Sequence, residues 1–126
     1  DEITYGKVRR KARRRKIHSP LAANPPTATV PATGGVATHN LVNSGAARFA
    51  FKVISSNITD YRIKPVFGFV EAGASTPLEI TRLAGPRKED KLVVKFTEAA
   101  ADAGNAAELF KAIAAPKKIV LPIKAE

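Results

Sequence analysis

The 126-residue sequence has no cysteine, no methionine, no tryptophan and only two histidines. Without cysteine there is no disulfide, no thiolate nucleophile and no Cys-type zinc site, which suits a reducing intracellular compartment and leaves the core to hold the fold. No apolar run approaches the roughly 18–20 residues of a membrane-spanning helix, and the basic start is not followed by a signal-peptide stretch. His18 and His39 lie in different regions, and no group of His, Asp and Glu has the spacing of metal ligands. A hydrolase triad can be nominated from His39, Ser44 or Ser55, and Asp60, but neither serine sits in a nucleophile-elbow pattern. "EAGAST", residues 71–76, lacks the lysine and the glycine spacing of a phosphate-cradling loop. The expectation is a chain that is no enzyme and holds no cofactor or metal.

Positive charge is what the chain has most of, and it is unevenly spread. Residues 1–20 carry eight Lys/Arg and two acids, leaving thirteen and nine for the rest, so +6 of the net +10 belongs to the start. "KVRRKARRRK", residues 7–16, has too little apolar surface to bury and reads as a solvated basic tail. Clustered guanidiniums make nucleic acid one candidate partner for it, although no aromatic residue interleaves the run for base stacking. "SPLAANPP" then reads as a proline-bearing linker, dividing the chain into a tail and linker, 1–23, and a domain, 24–126. The start at Asp1 rather than methionine suggests a trimmed chain or a fragment of a longer one.

Beyond the linker the dominant period is two. "ATHNLVN" sets His39 and Leu41 against Asn40 and Val42, and "RFAFKVISS" puts Phe49, Phe51 and Val53 on one face. In "YRIKPVFGFVEAGAST", Tyr61 and Ile63 oppose Arg62 and Lys64, Pro65 interrupts, and Phe67 and Phe69 bracket Gly68 before a turn. That predicts strand, kink, short strand, turn. "PLEITRL" points Leu78 and Ile80 inward, "AGPRKED" reads as a loop, and "KLVVKFT" gives Leu92, Val94 and Phe96 as an inward row. Phe51 and Phe96 are expected on facing strands of the core. A helix is predicted over 102–115, with Ala107, Phe110 and Ala114 on a common face and Pro116 as its stop. "KKIVLPIKA" resumes as a last strand, with the lysines and proline of a protected edge. Strands in this number and spacing predict an all-β sandwich.

The segments "THNLVNSG", "FAFKVISSN", the long run from Tyr61 to Ala99 and "AADAGNAAELFKA" together resemble the major sperm protein domain, and within it the short nematode sperm-specific proteins. The resemblance runs from about Asn24 to the C-terminus. It implies an immunoglobulin-like, seven-stranded β-sandwich with one short helical segment. It also implies no enzyme activity, no bound nucleotide or metal, and a cytoplasmic role in the sperm cytoskeleton and motility, through contacts with copies of itself or with major sperm protein. Membrane-contact relatives of the domain bind short acidic, aromatic-bearing peptides, using a Lys-Thr-Thr stretch after "FKV" and a Lys-x-Met on a later strand. The matching positions here are Ile54, Ser55 and Ser56, then Lys91 and Val93. Loss of the ammonium at Ile54 removes a charge-assisted contact of about 1.5–3 kcal/mol. By strand phase, Lys52 and Ile54 point outward with Lys91, Val93 and Lys95. The candidate partner-binding set is therefore Lys52, Ile54, Ser55, Ser56, Lys91, Val93 and Lys95.

Overall fold

The computed structural model describes residues 20–112 and 116–126. The basic run, and Ala114 on the predicted helix face, lie outside the described residues. Among the described residues are nine strands and one helix: β1 (Leu21–Asn24), β2 (Ala28–Val30), β3 (Gly35–Asn43), β4 (Phe49–Ser55), β5 (Tyr61–Lys64), β6 (Phe67–Val70), β7 (Ser75–Arg82), β8 (Lys88–Glu98), α1 (Ala106–Ala112) and β9 (Lys117–Ala125). They form a five-stranded sheet, β2-β9-β8-β4-β6, and a four-stranded sheet, β1-β3-β7-β5. Together these make a β-sandwich, as the period of two predicts, and an immunoglobulin-like one, as the family resemblance implies.

Alternation decides which side chains meet between the sheets. Phe51, Leu92, Val94 and Phe96 from one sheet, and Leu41, Leu78 and Ile80 from the other, are at most 1% exposed. Phe51 and Phe96 are direct neighbours across the β4–β8 ladder, so they share a sheet where facing strands were expected. Phe96 meets the Phe49 ring edge to face, with centroids 5.2 Å apart. Gly68 lies opposite Phe51 on β6, and a Cβ there would come 2.8 Å from the Phe51 ring. The glycine is a slot for that ring. Just before it, the chain leaves the four-stranded sheet after Lys64 and joins the five-stranded one at Phe67, so the Pro65 kink is a change of sheet.

Four further expectations are corrected. The boundary near Asn24 falls at the end of a strand, because β1 pairs with β3 and Leu21 is wholly buried; a four-residue strand stopped by two prolines shows too little alternation to be read. Lys88 to Asp90 belong to β8 and not to a loop, held by pairing with β9. The helix begins only at Ala106, where the Asn105 side chain accepts from the Glu108 N–H at 3.2 Å and caps it. Finally, β9 is no simple edge strand, since β2 pairs with it in parallel along Ile123–Ala125.

Candidate functional site

The outward face of the five-stranded sheet is built by register. Lys52 stands beside Lys95, and Lys95 beside Lys118; one step along, Ile54 stands beside Val93, and Val93 beside Val120. Lys91 and Pro122 form the next row. A row of three ammonium groups thus lies against a row of three β-branched side chains. Ile54 and Val120 are 37% and 49% exposed, so apolar surface is offered to solvent between charges. On the inward side of the same strands sit Phe51, Val53, Leu92 and Val94, which is why these strands cannot slip by a residue without burying lysines.

One end of the face is covered. Helix α1 packs on β4 and β6, and Ala50 is fully buried although it belongs to the outward row. Phe110 of the helix meets Phe67 with ring centroids 6.3 Å apart, and the Lys52 ammonium lies 5.6 Å from the same Phe67 ring. The segment leading to the helix is held by Arg48: its Nη1 donates to the carbonyls of Ala100 and Ala103 at 2.7 and 2.8 Å, while Nε donates to Glu71 at 2.8 Å. The guanidinium lies 3.9 Å above the Phe69 ring.

The other end is fixed by a polar hub around Asn57. Its side-chain oxygen accepts from the N–H groups of Thr59 and Asp60, and its amide nitrogen donates to Asp60 and Asp90 at 3.0 and 3.2 Å. Ser56 donates to Asp90 Oδ1 and accepts from the Lys91 N–H, so it sits beside Lys91 with its hydroxyl already engaged. Ser55 lies apart from the outward set: it continues the inward row of Phe51 and Val53, and its hydroxyl bonds only Asn57 backbone groups. Behind the hub, Arg82 is 1% exposed, donates to Pro86 O at 2.6 Å and stands 3.9 Å from Asp60. Burial raises the pKa of Tyr61 above its ordinary value, partly opposed by the neighbouring Arg82. Next to Ile54 an apolar groove of about 410 Å³ opens, lined by Ile54, Ile58, Ile63 and Val66 with Arg62 at its rim.

The nominated triad does not assemble. His39 Nδ1 donates to Pro25 O at 2.8 Å, Ser44 bonds Pro20 O, Ser55 bonds Asn57, and Asp60 faces Asn57 and Arg82. Among the described residues no cluster of His, Cys, Asp and Glu could hold a metal ion, and no helix is long and apolar enough to cross a membrane.

The family model described as the MSP (major sperm protein) domain matches residues 20–118. The chain belongs to the major sperm protein domain family. It is 51% identical over 105 residues to sperm-specific class P protein 16 of Caenorhabditis elegans, covering 83% of this chain and 96% of that one. Among solved structures it is similar to SSP-19, an MSP-domain protein of the same nematode, at 52% identity and a TM-score of 0.80, over 83% of this chain and 98% of that one. The C. elegans family member WR4 gives 44% identity and a TM-score of 0.82, over 86% and 100%. Sperm-specific nematode proteins of the same domain family are thus among the relatives of this chain.

Reading the sequence missed Lys118 and Val120, which complete both outward rows, and the supports Arg48 and Asn57. The first two were legible: in "KKIVLPIKA" they alternate with Ile119 and Leu121. Asn57 had a fainter signal in "NITD", the pattern of an asparagine whose side chain accepts from backbone two and three residues on.

Proposed function

We propose that this chain is a non-catalytic association module of the sperm cytoskeleton that meets an acidic protein surface through the outward face of its five-stranded sheet. The observation that carries this is the pair of adjoining rows, Lys52–Lys95–Lys118 against Ile54–Val93–Val120. Exposed β-branched residues between cations supply the desolvated area of a protein contact, and the ammonium groups give it orientation and a faster encounter. A phosphate groove would need the charges without the aliphatic row. Family membership supports the sperm setting, and a contact with major sperm protein or its assemblies is the form of association that setting favours.

The groove beside Ile54 supports a second reading within the same site, an adaptor for acidic peptides carrying an apolar anchor. Lys91 would be its cation, flanked by Ser56, while Ile54 contributes apolar contact where the peptide-binding relatives carry lysine. Nucleic-acid binding would fall to the basic run at residues 7–16 and makes no use of this face.

Sedimentation tests the reading. The purified chain, spun alone and with major sperm protein over a concentration series, should co-assemble, and Lys95→Glu at the centre of the cationic row should weaken this about tenfold or more. Lys111→Glu on the exposed side of α1 serves as the charge-matched control. Equal behaviour of the two variants would sink the proposal.

A further inference from the structure

Strand β9 is unevenly paired. It pairs with β8 along its whole length, but β2 borders only Ile123–Ala125, so the far side of Lys117–Pro122 meets no strand among the described residues. Two sets of bonds tell which backbone groups face that open side. Glu126 donates its N–H to Val30 O and accepts from the Ala32 N–H, so it turns toward β2. Ser56 N–H donates to Lys91 O, which turns the odd-numbered residues of β8 toward β4 and leaves its even-numbered ones to bond the odd-numbered residues of β9. Backbone groups two residues apart point the same way along a strand, so both observations give one parity. Lys118 and Val120 direct N–H and C=O away from the sheet, and Pro122 directs a carbonyl alone.

An edge with free donors and acceptors is a template for an added strand. We infer that Lys117–Val120 is a strand-addition site for an extended acidic segment of a partner protein, which lengthens the five-stranded sheet beyond β9. The inference rests on the reading that this face meets an acidic partner, and adds how the partner is held. Charge selects the occupant. Lys117 and Lys118 are both exposed, and Lys118 continues the row of Lys95 and Lys52. On the added strand, an outward carboxylate beside Lys118 and an outward aliphatic residue beside Val120 would extend both rows. A second copy using the same edge would bring its own Lys117 and Lys118 alongside these, and residues 7–16 carry still more positive charge. Like charges on neighbouring strands oppose both alternatives.

The test uses the eight-residue peptide Thr-Glu-Thr-Val-Thr-Glu-Thr-Val, which presents glutamate and valine in turn on one face, and the same peptide N-methylated at every second residue. With the unmethylated peptide, amide exchange at Lys118 and Val120 should slow by about tenfold or more. N-methylation should weaken binding about tenfold, as should Lys118→Glu or Val120→Pro, since each removes bonds or charge from the edge. Val120→Pro deletes a donor that β8 does not use, at the same parity as Pro122; if it fails to fold, exchange in the unaltered chain and Lys118→Glu still decide. Shifts at Lys52, Lys91 and Lys95 with unchanged exchange at Lys118 and Val120 would mean docking on the face alone, overturning strand addition while leaving the face as the contact. Absence of binding at millimolar peptide overturns it too. So does a concentration-dependent dimer that protects Lys118 and Val120, because the edge would then belong to a second copy.

Discussion

Gly68→Ala isolates a single packing decision. The added Cβ would stand 2.8 and 2.9 Å from two atoms of the Phe51 ring, closer than carbon atoms pack, and Phe51 is fully buried. Gly68 has no positive φ that would demand glycine, so the backbone raises no objection. On backbone entropy alone, alanine should stabilise a strand by roughly 0.5–1 kcal/mol. The ring cannot withdraw, because Phe96 flanks it in the ladder. Overpacking of this kind costs about 1–3 kcal/mol, enough to reverse the sign. Urea unfolding of the single variant should therefore show a net loss. In a Phe51→Leu background the obstructing ring is gone, and Gly68→Ala should then be neutral or stabilising, giving a coupling of about 1 kcal/mol or more. A neutral Gly68→Ala, or an equal cost in both backgrounds, would refute the slot.

Arg48→Ala should release the segment before α1, since two carbonyls and Glu71 lose their donor. Because these groups are only partly buried, the expected cost is about 1–2 kcal/mol in thermal unfolding, with faster amide exchange in α1 than in β8. Tyr61 predicts an alkaline limb. Its pKa is raised in the folded chain by burial, so stability is full below the unfolded value of about 10 and is lost as pH climbs from there through the folded value, the unfolded chain ionising first. Urea midpoints measured from pH 8 upward should fall above about pH 10, and Tyr61→Phe should flatten that fall.

The fold was legible because its information is local. Phe49, Phe51 and Val53, or Leu92, Val94 and Phe96, declare a half-buried strand within five residues, and register then follows from burying them. What escaped was decided by partners distant in sequence. Gly68 reads as a flexible position until Phe51 is seen opposite it. Arg48 reads as a surface cation until the carbonyls of Ala100 and Ala103 are found in its reach. Arg82 alternates correctly with Leu78 and Ile80 and is buried with them, so the pattern was right and the residue type misleading; Asp60, the Tyr61 ring and Pro86 O make that burial tolerable.

The candidate face divides in the same way. Lys52, Ile54, Lys91, Val93 and Lys95 share an outward face by parity, which any regular strand enforces, whereas Ser55 lies at a strand end where its hydroxyl turns to Asn57. The open side of β9 follows from no property of β9. It exists because β2 is three residues long, with Pro25 and Pro26 shortly before it and Pro31 directly after it. Proline has no N–H to give a ladder, so pairing cannot extend far from Ala28–Val30 in either direction. A longer β2 would have closed the edge over Lys118 and Val120. The capacity of this sheet to accept another strand is therefore set by the prolines of a different segment, and the lysines of β9 determine only which strands it accepts.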